Sequence, residues 1–352
     1  MDINPKLWSG KRVLVTGHTG FKGSWLVFWL RELGAEIIGL ALPPQDSRPS
    51  LYSDARIGSL VSREYFLDIR DDIGVQKAIQ ESKPEYVFHL AAQAFVRRSL
   101  KNPSESFTTN IIGTSNVLLA SLLLHNLKGV TIATTDKVYQ NTDIHKPFQE
   151  TDRLGSKDPY STSKAAAELV VASLASTCNP HFIPVTTVRA GNVIGGGDWG
   201  EDRLVPDLVT ALNASDPLIV RRPNATRPWQ YILDCLRGYI LIAQAHLENG
   251  LNAPASINFG PIESLSVAKL ISIFEEAFGR KIHSLVTEPS FSEANQLELD
   301  SKLALEYLGW SCSLSSERAI ALTAKWYSKF LTGSTALDLM SKELENYKSL
   351  NQ

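Results

Sequence analysis

The feature that most constrains this chain is a run of glycines directly behind its first apolar strand. Residues 12–15 read as a short strand. Thr16-Gly17-His18-Thr19-Gly20-Phe21-Lys22-Gly23 follows at once, and a helical pattern continues to about residue 33. A chain that passes from strand to helix through glycine leaves bare backbone N–H groups at the helix N-terminus, where an anion can bind. Gly17 permits the tight turn, Gly20 lets the backbone approach an anionic group, and Gly23 lets helix and strand pack closely.

The rest of the first half repeats strand and helix in alternation. Gly34 closes the first helix as a C-cap, and residues 36–40 begin a second strand. Further strands are expected at 64–67, 86–91, 130–134 and 184–189, with helical patterns between them. Such alternation requires a parallel sheet covered by helices on both faces. Residues 42–62, with Pro43, Pro44 and Pro49, read as a long irregular connection. After about residue 190 the order gives way to Gly-rich, Pro-rich and short helical pieces, although 256–260 looks like one more strand that could return to either lobe. The expected architecture is therefore α/β. A doubly wound parallel Rossmann sheet spans residues 1–190, and a smaller, mostly C-terminal α/β substrate-binding lobe spans 191–352.

Composition narrows the function classes. The 352 residues carry 35 Lys plus Arg against 37 Asp plus Glu, a formal charge of -2, so no broad field attracts nucleic acid or anionic lipid. No segment approaches the roughly 18 consecutive apolar residues of a membrane span, and residues 1–11 carry Pro5 and charges in place of a signal core. Cys178, Cys235 and Cys312 are far apart and form no metal-binding spacing. These features point to the cytoplasm, with no metal.

Tyr160-Ser161-Thr162-Ser163-Lys164 opens a helical stretch and puts Tyr and Lys on one face at i and i+4. A phenol is a poor base at neutral pH unless a nearby cation favours its ionised form, and Lys164 can supply that cation. At the end of the fifth strand stands Thr134-Thr135-Asp136-Lys137-Val138-Tyr139. Thr135 offers a hydroxyl there. The ionisable Asp136-Lys137 pair implies additional proton transfers.

The glycine turn has the GxxGxxG spacing of the extended short-chain dehydrogenases, and with the YxxxK motif about 140 residues later the chain resembles that family over most of its length. The resemblance implies a dinucleotide held by Gly17, His18, Gly20, Phe21, Lys22 and Gly23, and by Leu90, Ala91, Ala92 and Gln93 at the fourth strand's end. Asp68 and Ile69 would lie on the adenine side, while Asn110, Thr134, Tyr160 and Lys164 would complete the cofactor site. No carboxylate ends strand two, where Gly39-Leu40-Ala41-Leu42 stands, and Arg48 nearby is suited to a 2′-phosphate, so these residues leave NAD and NADP open. The resemblance implies NAD.

Within the family, Asp136-Lys137 resembles the CDP-glucose branch of the nucleotide-sugar 4,6-dehydratases, in which a lysine replaces the usual glutamate. The implied roles are catalytic for Thr135, Asp136, Lys137, Tyr160 and Lys164. Substrate binding would fall to Gln93, Thr135, Asn192, Arg203, Arg227 and Asn258, with CDP-glucose the implied substrate. Trp199, Trp229 and Trp310 suit either base stacking or the core. The apolar helical stretches 114–124 and 165–174 correspond to helices that pair into a four-helix interface in this family, implying a homodimer or homotetramer. Epimerases and reductases of the family lack the ionisable pair, and catalytically silent NAD(P)-sensing relatives usually lose the intact Thr135, Tyr160 and Lys164.

Overall fold

The computed structural model describes residues 1–45, 48–141, 146–214, 216–287 and 297–350. The first half runs β1 (Arg12–Thr16), α1 (Phe21–Glu32), β2 (Glu36–Ala41), α2 (Leu51–Asp54), β3 (Arg63–Phe66), α3 (Asp72–Ser82), β4 (Tyr86–His89), α4 (Val96–Lys101), α5 (Pro103–Phe107), α6 (Thr114–Leu122), β5 (Val130–Ala133), α7 (Pro159–Thr177) and β6 (Val185–Ala190). Gly34, at φ +87°, terminates α1 as expected, its N–H bonding the Arg31 carbonyl.

The second half continues β7 (Val193–Ile194), α8 (Leu204–Ala214), β8 (Leu218–Val220), β9 (Thr226–Arg227), β10 (Gln230–Tyr231), α9 (Ile232–Asn249), β11 (Ser256–Phe259), β12 (Leu265–Ser266), α10 (Val267–Phe278), β13 (Ser284–Val286), α11 (Lys302–Leu308), α12 (Ser316–Leu331) and α13 (Ala336–Leu350). Seven strands form one sheet in the order β11-β6-β5-β4-β1-β2-β3, and every pairing in it is parallel. The remaining strands form three two-stranded pieces in the second half.

A sheet of this kind is buried on both faces, which is why β1, β4 and β5 are apolar almost throughout. One face packs on α1 and α9, and the other on α3, α6 and α7. The strand order reverses between β1 and β4, and ligands bind outside the carboxyl ends at such a switch point.

Two expectations need correction. Residues 42–62 are not wholly irregular, because α2 and a 3-10 turn at Ile57–Leu60 lie among them; residues 46 and 47 are outside the described residues. Nor is the second half built mainly of short pieces. α9 is 18 residues long, and Leu233, Leu236, Tyr239, Ile240 and Ala243 along it are fully buried. A helix that is apolar on nearly all sides lacks the amphipathic stripe that marks a surface helix, so its periodicity is easily missed. β11 pairs with β6 at the sheet edge, so the chain returns to the main sheet after leaving it. No helix among the described residues is long and apolar enough to cross a membrane.

Candidate active site

The cofactor end is built by interlocking backbone at the switch point. The Thr16 hydroxyl accepts from the N–H groups of Leu90 and Ala91, both at 3.1 Å, which ties the end of β1 to the end of β4. Gly17 has φ +72°, and a Cβ there would stand 2.7 Å from the Ala91 nitrogen. A Cβ on Gly23 would lie 2.1 Å from the Gly17 carbonyl oxygen. Only glycine fits either place. Ala91 and Ala92 are small and half-buried beneath this turn.

No side chain caps α1 after Gly20, so the first-turn N–H groups and the positive end of the helix dipole are left for a ligand. Phe21 approaches Gly195, while the Lys22 ammonium lies 5.9 Å from the centroid of the Tyr239 ring. A dinucleotide pyrophosphate fits this cradle. Arg48, suited by sequence to a 2′-phosphate, is instead paired with Glu201 at 2.8 Å.

Some residues expected at the cofactor are turned inward. The His18 ring is fully buried against Gly39 and bonds Glu64 at 2.9 Å, so only its backbone remains for a ligand. The Gln93 amide is consumed by Ser106 and by Phe95, whose carbonyl and N–H it meets, so its side chain shapes the loop instead of reaching a cofactor or sugar. Thr134 points away from the cleft, donating to Glu168 at 2.5 Å. Asn110, on a π-helical turn at Thr108–Gly113, accepts from Gln93 N–H and donates to Ser163, bracing β4 against α7. On the side expected for the adenine, Asp68, Arg70, Asp71, Thr108 and Ile112 line an open groove. Asp68 is held by Arg70, Ile69 is buried against Gly113, and Asp71 also caps α3 through Gly74 N–H.

The catalytic candidates converge at the end of β5. Asp158 caps α7 by accepting from Ser161 N–H, with Pro159 in the first turn, and this fixes Tyr160 at the helix start. Tyr160 is 8% exposed, and burial raises its phenol pKa above the usual 10.0. The Lys137 charge, a hydrogen bond with Thr135 and the Arg203 charge oppose that rise. Two neighbouring cations, Lys137 and Arg203, thus act on the phenol. Lys164 donates to the Ala133 carbonyl at 3.0 Å, and burial, with Lys22 nearby, lowers it to about 8.

The Thr135 hydroxyl donates to Asp136 at 2.9 Å. Asp136 is 1% exposed and Lys137 reaches its carboxylate at 3.5 Å, with 36% of the lysine side chain still exposed. A Cβ on Gly191 would stand 3.0 Å from Asp136 Oδ2 and 3.2 Å from Pro228, so the end of β6 and the residue after Arg227 close over the same spot. Arg203 is paired with Asp198 at 3.0 Å and lies over the Phe95 ring. The buried side-chain oxygen of Asn192 has no hydrogen-bond partner in the structure, and an orphaned polar atom at a strand end faces a natural place for a ligand. Among the described residues no cluster of three or more metal-ligating side chains occurs.

Asn258 is not part of this cleft. It is fully buried, accepts from the Tyr139 hydroxyl at 2.7 Å and donates to the carbonyls of Phe148 and Asp300, which leaves no donor for a phosphate. Trp229 and Trp310 belong to the core, and half-buried Trp199 bonds Asp54. Two buried residues were missed by sequence reasoning: Glu168 and Arg189, an ion pair beneath the site with contacts at 3.0 and 2.9 Å. A signal existed, because Glu168 is four residues after Lys164 on one helix face, and an arginine inside a buried parallel strand requires a partner.

Residues 13–258 match the NAD dependent epimerase/dehydratase family. The chain belongs to that family. It is 38% identical to a CDP-glucose 4,6-dehydratase of Salmonella typhimurium, with 99% of each chain covered. It is also 28% identical to a UDP-glucuronate 4-epimerase of Arabidopsis thaliana, over 95% of this chain and 79% of that one. Among solved structures, a UDP-glucose 4-epimerase of Thermotoga maritima superimposes with TM-score 0.79 at 26% identity, over 91% of this chain and 99% of that one. A dTDP-glucose 4,6-dehydratase from Streptomyces venezuelae, solved with NAD, has the same fold at TM-score 0.77 and 24% identity, over 90% of this chain and 97% of that one.

Proposed function

We propose that the protein is a nucleotide-sugar 4,6-dehydratase that converts CDP-glucose to CDP-4-keto-6-deoxyglucose and water. The observation that carries this reading is the Asp136–Lys137 pair beside Tyr160, an acid and an amine where an epimerase needs neither. The 38% identity to a CDP-glucose 4,6-dehydratase over the full length supports the choice of nucleotide.

Bound NAD supplies the hydride acceptor for C4 and the hydride donor for C6, and ends as it began. Tyr160 takes the proton from the C4 hydroxyl, with Thr135 bonded beside it. The ketone then acidifies C5, and Lys137 removes that proton while Asp136 gives its own to the departing C6 oxygen. Lys137 then returns its proton to C5. The Thr135 hydroxyl, bonded to both Tyr160 and Asp136, offers the route by which the proton taken from the C4 hydroxyl restores Asp136. A neutral acid–amine pair holds as many protons as the Asp136–Lys137 ion pair, so the two groups can act as acid and base with no net gain or loss of protons.

Gly17, Gly20, Phe21, Lys22 and Gly23 hold the pyrophosphate, and Asp68 with the Ile69 N–H the adenine. Leu90, Ala91 and Ala92 lie beneath the cofactor. Lys164 holds the nicotinamide ribose. Asn192, Arg203 and Arg227 take the substrate, and the Asn192 amide, turned over, presents a donor to a phosphate. Exposed Leu119, Leu123 and Leu169 on the α6–α7 side suit a homodimer interface, and three free cysteines suit the cytoplasm.

The test is incubation with CDP-, dTDP-, UDP- and GDP-glucose, followed by alkali-induced 4-ketosugar absorbance. CDP-glucose should react fastest, and Lys137→Ala should lose product formation while still binding NAD. Absence of product from all four sugars would remove the dehydratase reading.

A further inference from the structure

The segment that carries Thr135, Asp136 and Lys137 is held at both ends by one buried ion pair. At its start, the Thr134 hydroxyl donates to Glu168 Oε1 at 2.5 Å. At its finish, Arg189 Nη1 donates to the Tyr139 hydroxyl at 2.7 Å, and the guanidinium lies 5.0 Å from the centroid of the same ring. Glu168 and Arg189 are 4% exposed each and meet through two contacts, Nε to Oε1 at 3.0 Å and Nη2 to Oε2 at 2.9 Å. Burial works against the charge on Arg189, but the bonds and charge of Glu168 outweigh it and hold the guanidinium protonated.

The pair is itself fixed. Glu168 also accepts from Thr187 at 2.6 Å, and Arg189 donates to the Glu150 carbonyl at 3.0 Å. The Tyr139 hydroxyl donates to Asn258, and the ring stacks on Phe148 with centroids 4.9 Å apart. Tyr160 and Lys164 have further anchors of their own, through Ser99 to the Tyr160 N–H and through the Ala133 carbonyl.

We propose that the Glu168–Arg189 pair, acting through Tyr139, is a positioning pair for the elimination half of the reaction. It sets where Asp136 and Lys137 stand relative to a hexose held against Tyr160, and it rests on the dehydratase reading above. The oxidation machinery sits on α7 and at Thr135, close to the firmly held Thr134 end. The elimination residues lie on a one-turn 3-10 helix, Asp136–Val138, toward the Tyr139 end. Loosening that end displaces the acid and the base before it displaces the phenol.

Tyr139→Phe tests this, because it deletes the hydroxyl and keeps the ring on Phe148. With CDP-glucose, product formation should fall by about tenfold or more, since sub-ångström placement of reacting groups governs such steps, while KM stays within about twofold. Oxidation should then outrun elimination, so the reduced fraction of the bound cofactor rises during turnover, read by nicotinamide fluorescence. In the cofactor-free protein, amide exchange at residues 135–138 should quicken while that of α7 does not. Unchanged exchange at 135–138, or a rate loss with no build-up of reduced cofactor, would overturn the positioning role. A wild-type protein that makes no 4-ketosugar would sink the dehydratase reading instead, and the exchange measurement would still decide whether the clamp holds the segment.

Discussion

Gly23→Ala sets two physical effects against each other with opposite signs. Gly23 lies in the first turn of α1, where alanine is the better helix former by about 1 kcal/mol. If local propensity governed, the substitution would stabilise the protein by that amount. The new Cβ, however, would sit 2.1 Å from the Gly17 carbonyl oxygen and 2.8 Å from the His18 Cα, over an ångström short of ordinary contact with the former. Both neighbours are backbone and cannot rotate away. The Gly17 carbonyl also accepts from Gly20 N–H at 3.0 Å, and Gly17 is wedged against Ala91, so the turn cannot yield without disturbing the end of β4. Forced insertion of a methyl group into packed structure costs about 1–3 kcal/mol, which exceeds the propensity gain. The expected outcome is a net loss of up to ~2 kcal/mol in urea unfolding of the cofactor-free protein. NADH binding, followed by fluorescence, should weaken by about tenfold or more, because the N–H groups of the turn move with it. A variant more stable than wild type with unchanged NADH affinity would refute the argument that close backbone approach dictates glycine here.

Asn258→Ala should lower stability by ~1–3 kcal/mol, since it strips the buried Tyr139 hydroxyl of its acceptor and the Asp300 carbonyl of a donor, while Arg189 still donates to the Tyr139 oxygen and Asp300 N–H to the Phe148 carbonyl, yet shift the substrate KM little; a large KM effect at unchanged stability would restore Asn258 as a phosphate ligand. His246 is buried between Tyr86 and Thr186, and burial lowers it from 6.5 to about 3. The unfolded chain therefore takes up this proton near pH 6.5 and the folded one only near pH 3, so stability is complete above 6.5 and is lost as pH falls through that window. The slope is ~1.4 kcal/mol per pH unit from this group, and His246→Gln should flatten the acid limb of urea-midpoint measurements by that amount. Leu169→Lys, at a leucine 64% exposed on α7, should convert a dimer into monomer in sedimentation velocity; a wild-type protein that already sediments as monomer removes the interface.

What could be read from the amino acids alone was whatever depends on neighbours in the chain. The strand–turn–helix at Gly17–Gly23 follows from glycine spacing beside an apolar run. Tyr160 and Lys164 share a face because four residues make about one helical turn. Asp136-Lys137 was legible as chemistry because two ionisable residues at a strand end are costly unless they are used. The tertiary structure decided which polar groups remain available to a ligand. Gln93, Thr134 and Asn258 each carry suitable atoms, but partners elsewhere in the fold consume them, among them Ser106, Glu168 and Tyr139, while the His18 ring is buried away from a ligand with its Nε2 on Glu64. The same holds for α9, whose role as a sheet-covering helix depends on being enclosed on all sides, and for Glu168 and Arg189, which only packing brings together. Spacing fixes direction, whereas hydrogen-bond saturation and burial depend on residues distant in sequence, so only the assembled fold determines them.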